Sequence, residues 1–274
     1  MTQPTIAFIG AGHMAGSLIN GLTSDGYDPT RIVASDTNPD ALAAMARRTG
    51  VRTTADNAVA AGSDVVVLAV KPQTLQGVAR QIAPVVQRRR PLVISIAAGI
   101  REAALEDWLG GGVALVRTMP NTPAMIGAGA TVLHAGSGVT DAQRDTAESI
   151  LRAVGLTRWV DDEGLLDAVT ALSGSGPAYF FLVMEAMEAA AIELGIPDET
   201  ARLLTLQTAL GAARMAIESD EEPATLRRRV TSPGGTTERA VAVLKDGGLR
   251  GLFGRALTAA RDRSVELSRL LGGG

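Results

Sequence analysis

The chain has 274 residues, 46% of them hydrophobic but only 3% aromatic, so one large or two modest domains with cores of Ala, Val, Leu and Gly are expected. The net charge of -3 gives no electrostatic reason for a nucleic-acid partner. Cysteine is absent and histidine occurs only at His13 and His134, which removes disulfides, thiolate nucleophiles and Cys-based zinc sites, and no neighbour pattern suggests a metal site or a Ser-His-Asp triad.

The first readable element is Thr5 to Gly16, TIAFIGAGHMAG. Ile6 to Ile9 is an apolar strand. Gly10, Gly12 and Ala15 form G-x-G-x-x-A, and helical spacing runs from His13 to Leu22. Strand, glycine turn and helix start are the parts of a dinucleotide-binding turn. Gly10 permits the tight turn, Gly12 lets a pyrophosphate approach the backbone, and Ala15 lets the helix pack close to the strand. The first N–H groups of that helix have no intrahelical partners and can face the phosphates.

Arg31 to Asp36 reads as a second strand. Asp36 lies where a carboxylate accepts hydrogen bonds from an adenosine ribose, a position that favours NADH because a 2′-phosphate would be repelled. The alternative is that Asp36 caps the helix that follows. Ser35 and Thr37 are candidate phosphate donors. Pro39 to Thr49 is helical. Asp64 to Val70 is an uninterrupted apolar strand, as in a parallel sheet covered on both faces. A helix over Leu75–Gln87, a strand over Leu92–Ala98, a helix over Arg101–Leu109 and a strand over Ala114–Thr118 follow. Met119 to Gly129 is rich in turn residues. Thr131–His134 reads as a strand, Asp141–Val154 as a helix and Thr157–Val160 as a last strand.

The alternation predicts an α/β fold with a doubly wound, mostly parallel, Rossmann-type sheet. Ligands of such sheets bind at the carboxyl ends of the strands, which puts Lys71, Pro72, Ala97, Ala98 and the Pro120–Asn121 turn on the cofactor side.

From Asp161 onward no strand pattern appears. The expected division is a dinucleotide-binding domain over 1–162 and an all-helical domain over 163–274. Helices are expected over Gly164–Gly195, Asp198–Ser219, Thr237–Asp246 and Leu249–Leu271. The Tyr179–Leu194 stretch is apolar nearly all round, so it should be buried, against another subunit. Leu249, Phe253, Ala256, Ala260, Leu267 and Leu271 give the last helix a packing face for association. Gly272 to Gly274 should fray. No apolar run reaches the ~20 residues of a membrane helix, and the first residues, MTQPT, do not read as a secretory signal, so a soluble cytoplasmic protein is expected.

Two interruptions mark the helical half. Thr231 to Thr237, TSPGGTT, holds a proline and two glycines just before a helix. It is either a turn capped by Thr236 or Thr237, or a nest of free N–H groups and hydroxyls that holds a carboxylate. Leu172 to Pro177, LSGSGP, is a kink or a place of close approach.

ALSGSGPAYFF (Ala171 to Phe181) and VTSPGGTTERAVAVL (Val230 to Leu244) resemble the pyrroline-5-carboxylate reductase family. GAGHMAG, AVKP (Ala69 to Pro72), SIAAGI and RTMPNTPA (Arg117 to Ala124) match the same family in the same order. The resemblance implies reduction of 1-pyrroline-5-carboxylate to proline with NADPH or NADH. It implies a Rossmann domain followed by a helical dimerisation domain, with dimers often assembled into rings. It places the substrate carboxylate on Ser232, Gly234, Gly235, Thr236 and Thr237, with the Thr237 hydroxyl beside the ring nitrogen as the catalytic group, and Glu163 on the substrate side. It expects cofactor contacts at Gly10, Ala11, Gly12, His13, Met14, Ser35, Asn57, Ala69, Val70, Lys71, Pro72, Ala97 and Ala98. Where members present a small or hydroxyl residue for the 2′-phosphate, this chain has Asp36, which tilts the expectation towards NADH.

The chemistry fits the absence of an obvious general acid. A protonated cyclic imine already carries positive charge, and hydride addition neutralises it, so orientation is the main task. A β-hydroxyacid dehydrogenase shares the two-domain plan but needs a lysine in the first helix after the Rossmann domain, and Glu163–Leu194 contains none. A non-catalytic dinucleotide-binding protein would need the glycine turn but not TSPGGTT.

Overall fold

The structure, a computed structural model, describes residues 3–272. It divides into two compact units, Met1–Ser175 with Thr258–Gly274, and Gly176–Leu257.

The first unit is built on eight strands: β1 (Ile6–Ile9), β2 (Ile32–Ser35), β3 (Arg52–Thr54), β4 (Val65–Leu68), β5 (Leu92–Ser95), β6 (Ala114–Met119), β7 (Gly129–Ala135) and β8 (Gly155–Trp159). They form one sheet in the order β3-β2-β1-β4-β5-β6-β7-β8. All neighbours are parallel except β6 and β7, which pair antiparallel with Arg117 opposite His134. Strands β1, β2, β4 and β5 are buried at every position, because helices cover both faces, and so their sequences show no alternation.

The helices of this unit are α1 (His13–Ser24), α2 (Pro39–Thr49), α3 (Asn57–Ala60), α4 (Pro72–Arg89), α5 (Glu102–Leu109), α6 (Asp141–Arg152) and α7 (Leu165–Val169). Local chemistry sets their ends. The Asn38 side chain accepts from the N–H groups of Asp40 and Ala41, Pro39 opens α2, and Gly50 closes it in the left-handed region. Two elements, β3 and α3, were not expected from the sequence. Strand β3 is a three-residue polar edge with no fully buried residue, and α3 is a single turn capped by Asp56, so neither carries a hydrophobic period.

The second unit consists of α8 (Gly176–Glu193), α9 (Asp198–Glu218), α10 (Pro223–Arg229), α11 (Thr236–Asp246) and the first part of α12 (Leu249–Leu271). Helix α10 was also unexpected, since its PATLRRR sequence has almost no apolar face. Over α8 to α11 the only buried residues are Gly176, Ala201 and Thr205. Phe180, Phe181, Leu182, Leu203, Leu204 and Leu210 are all exposed, so the apolar α8 sequence is not covered within one chain.

The expected Gly164–Gly195 helix is not continuous. Helix α7 passes into a π-helical turn over Thr170–Gly174 before α8 begins. Helix α7 and the end of α12 group with the sheet unit, and the compact helical unit begins at Gly176. Ion pairs explain this: Arg101 holds Asp167 of α7, Ser264 of α12 donates to the same carboxylate at 2.7 Å, and Arg117 holds Glu163. The expected fraying at Gly272–Gly274 concerns residues mostly outside those described; Gly272 itself donates its N–H to Ser268 O.

Candidate active site

The glycine turn sits where the strand order reverses, with β2 on one side of β1 and β4 on the other. Gly10 adopts φ +105°, and its N–H donates to Ser35 O at 2.7 Å. A side-chain carbon at Gly10 would lie 2.7 Å from Ala69 O, so this position requires glycine for both conformation and space. Gly12 is different. It is extended, at φ -74° and ψ -175°, and nothing of the chain lies within 4 Å of where a side-chain carbon would point. The room beside it is open. Ala15 is 1% exposed, which lets α1 pack close on the sheet. Gly12 caps α1 with no side-chain bond, so the first-turn N–H groups keep their donors. His13 is exposed at that end, while Ala11 and Met14 are half-buried.

Asp36 does not cap α2; Asn38 does. One Asp36 oxygen accepts from the Ala11 N–H at 2.8 Å and the other from the Asn38 N–H at 2.9 Å, tying the glycine turn to the β2–α2 loop. Ser35 is fully buried and donates its hydroxyl to Asn57 Oδ1 at 2.8 Å, while Asn57 Nδ2 donates to Gln81. That corrects the expectation of Ser35 as a phosphate donor: its hydroxyl is engaged inside, and its carbonyl anchors Gly10 instead. Beyond β4, Ala69 and Val70 are half-buried, Lys71 is exposed at the cap of α4, and Pro72 opens that helix. Ala97 is buried and Ala98 half-buried after β5. Gly10–Met14, Asp36, Ala69–Pro72 and Ala97–Ala98 therefore lie together along the carboxyl ends of neighbouring parallel strands.

At the end of β6 two motifs meet through Asn121 and Ser173, which are 52 residues apart in sequence. Asn121 Nδ2 donates to Ser173 O at 3.1 Å, and Asn121 Oδ1 accepts from the Ala130 N–H at 2.9 Å. Gly174 lies against the Met119 side chain, and a side-chain carbon at 174 would displace Met119 Cε. The LSGSG segment thus packs against the MPN turn.

Glu163 lies beside this region, with its carboxylate already engaged. It pairs with Arg117 and accepts from the Glu102 N–H at 2.6 Å. Burial lowers the Arg117 pKa, and Glu163 opposes that shift. Glu102, 3.4 Å from His134 Nε2, is pushed above the ordinary glutamate value by burial first and then by the Glu163 charge, with His134 acting against both. Sequence reasoning missed this ionic cluster. The available signal was an arginine inside an otherwise apolar strand, ALVRTM.

TSPGGTT lies in the second unit. Gly234 has φ +72° and donates its N–H to Glu238 Oε2 at 2.8 Å; the Gly235 N–H donates to Ser232 O at 3.0 Å. Gly235, not Thr236 or Thr237, is the cap of α11, and no side chain makes a cap bond. Thr236 and Thr237 occupy the first two helical positions, both exposed. The capping alternative fails, and the nest is smaller than expected, because two of its N–H groups already have partners.

A family model described as pyrroline-5-carboxylate reductase dimerisation matches residues 163–267, and one described as NADP oxidoreductase, coenzyme F420-dependent, matches residues 5–99. The chain is 52% identical to a pyrroline-5-carboxylate reductase of Pseudomonas aeruginosa over 99% of its own length and 100% of the relative's. It is 40% identical to one from Pisum sativum, covering 96% of each. Among solved structures, a pyrroline-5-carboxylate reductase from Coxiella burnetii superposes with a TM-score of 0.94 at 50% identity, covering 97% of this chain and 99% of that one. A Plasmodium falciparum pyrroline carboxylate reductase with NADP bound gives 0.86 at 27% identity, over 98% and 99%.

Proposed function

The chain belongs to the pyrroline-5-carboxylate reductase family, and from that premise we propose that it reduces 1-pyrroline-5-carboxylate to L-proline, the last step of proline biosynthesis. What carries the reading is a likeness that runs the whole length of the chain, glycine turn and TSPGGTT together. A nicotinamide dinucleotide is the cofactor, and the protein is a homo-oligomer acting on a small molecule.

The reduced nicotinamide supplies a hydride to the imine carbon. The C=N electron pair moves to nitrogen, which bears the proton that makes the imine electrophilic. Gly10 to Met14 and the open N–H groups of α1 hold the pyrophosphate, with Lys71 adding positive charge at the same strand ends. Ala69, Val70, Pro72, Ala97 and Ala98 line the strand ends with small, mostly apolar surface. Asn57, with Ser35 behind it, sets the β2 end. The N–H groups and hydroxyls of Thr236 and Thr237, with the Ser232 hydroxyl, hold the substrate carboxylate in the turn that Gly234 and Gly235 shape, helped by the positive end of the α11 dipole. Thr237 hydrogen-bonds the ring nitrogen. Glu163, engaged by Arg117, acts on the substrate side by fixing the start of α7.

Asp36 makes NADH the preferred donor: its carboxylate already binds two N–H groups and would repel a 2′-phosphate. The functional division runs 1–162 and 163–274, following the family model that starts at 163. We place the protein in the cytoplasm, as dimers or rings of dimers, without nucleic acid or metal. Among the described residues no helix is long and apolar enough to cross a membrane.

Incubation with 1-pyrroline-5-carboxylate and NADH or NADPH, with chromatographic detection of L-proline, tests the reading. Proline should appear in step with oxidised cofactor. Folded oligomer that forms none with either donor would sink it.

A further inference from the structure

The π-helical turn over Thr170–Gly174 disturbs the backbone ladder at a defined point. Ser175 donates its N–H back five residues, to Thr170 O at 2.8 Å. In an α-helical ladder Ser173 O would take its hydrogen bond from residue 177, but residue 177 is proline and has no N–H. A carbonyl left without a partner in a half-buried place is costly. Asn121 supplies the missing donor, through Nδ2 at 3.1 Å. Its Oδ1 is held in turn by the Ala130 N–H at the start of β7. The simpler use of this residue is absent: Asn121 stands at the cap of the short Thr122–Ile126 turn but makes no cap bond with its side chain.

The location gives this arrangement a consequence. A Rossmann sheet takes the two halves of a dinucleotide on its two strand triplets, with the glycine turn serving the first. Asn121 follows the carboxyl end of β6, the last strand of the second triplet, which is the nicotinamide side. We infer that Asn121 is a positioning residue: by replacing the hydrogen bond that Pro177 cannot make, it fixes the small-residue turn Ser173–Gly174 at the nicotinamide end of the sheet. This rests on the reductase reading above. π-Helical turns recur at functional sites because they present irregular backbone at low cost in length.

The test is a double-mutant cycle on the full oligomer. Asn121→Asp keeps the acceptor for Ala130 and sets a carboxylate oxygen against Ser173 O. Pro177→Ala restores a backbone N–H of the chain's own. Asn121→Asp should lower kcat about 10- to 50-fold. Affinity for NADH, followed by nicotinamide fluorescence, should stay within about twofold. The isotope effect with deuterium at the transferred position should rise, because hydride transfer becomes the slow step. Adding Pro177→Ala should recover at least about fivefold of the lost kcat, a coupling two unlinked sites would not show. Asn121→Asp with unchanged kcat overturns the inference. So does a kcat loss that Pro177→Ala does not reduce, or loss of fold in Asn121→Asp. An inactive wild-type enzyme would instead overturn the reductase reading, and the wild-type assay comes first.

Discussion

The sheet unit and the helical unit differ in what a single chain can finish. In the sheet unit, Ile6, Phe8, Ile9, Leu68 and Ile94 are completely excluded from solvent, and every strand between β2 and β6 has a covered neighbour. In the helical unit, 18-residue α8 buries only Gly176. Apolar surface left open on this scale belongs to an interface, because each large side chain buried contributes about 1.5–3 kcal/mol. The first unit is therefore a fold and the second is half of one. The dimerisation model matched over 163–267 says what completes it.

The largest expected effect breaks the helical unit. Phe181, 64% exposed in one chain, should lie in the subunit interface. Phe181→Glu should abolish the oligomer and reduce activity by roughly 100-fold or more, because a charge there is desolvated on association. Light scattering after size exclusion reads the mass; an intact, active oligomer would show that α8 faces solvent. Next in size is Gly10→Ala, which strains a φ of +105° and forces a carbon against Ala69 O. Cofactor affinity should fall at least about tenfold with the oligomer unchanged, and unchanged affinity would remove the glycine turn from the site. Together these two variants separate the units, each damaging one property and sparing the other.

Thr237→Ala comes third, with kcat lower by about 10- to 100-fold and cofactor affinity nearly unchanged. A loss of cofactor binding instead would mean that Thr237 is misplaced. Asp36→Ser should shift the NADPH-to-NADH ratio of kcat/KM by about tenfold towards NADPH, since the carboxylate facing a 2′-phosphate is gone. A ratio that does not move would make Asp36 only the tie between Ala11 and Asn38.

The smallest effect is a pH dependence. Glu102 has its pKa raised in the folded state, by burial and by Glu163, so the folded chain holds that proton more tightly than the unfolded one. Its stabilising contribution is full below the ordinary glutamate value and is lost as pH rises through the raised value. Glu102→Gln should therefore gain Tm relative to wild type as pH goes from about 4 to about 8. A difference that is flat with pH would show that Glu102 does not titrate in this range.

How much of this was legible in the sequence follows the same divide. Strands β1, β4 and β5 were readable because burial on both faces writes an uninterrupted apolar run, and α2 because Asn38, Pro39 and Gly50 mark both of its ends. Strand β3 and helix α10 were not, since neither buries a face that composition could record. The break at Ser175 was illegible for another reason. Arg117–Glu163 and Arg101–Asp167 join residues 46 and 66 positions apart, and no local period encodes such a pair. In TSPGGTT the glycines announced a special turn, but which N–H groups remain open depends on Glu238 reaching back to Gly234, which only the fold reveals. The glycine turn indicated a dinucleotide; the substrate came from the TSPGGTT and LSGSGP motifs and the family they belong to.

The proposed reaction moves one hydride from the nicotinamide to the imine carbon of the substrate. Single-turnover mixing of the oligomer and NADH, deuterated at the transferred position, with 1-pyrroline-5-carboxylate measures it most directly. Deuterium is expected on the former imine carbon of L-proline, one atom for each nicotinamide oxidised. Nicotinamide oxidised without labelled proline, or no oxidation at all, would contradict it.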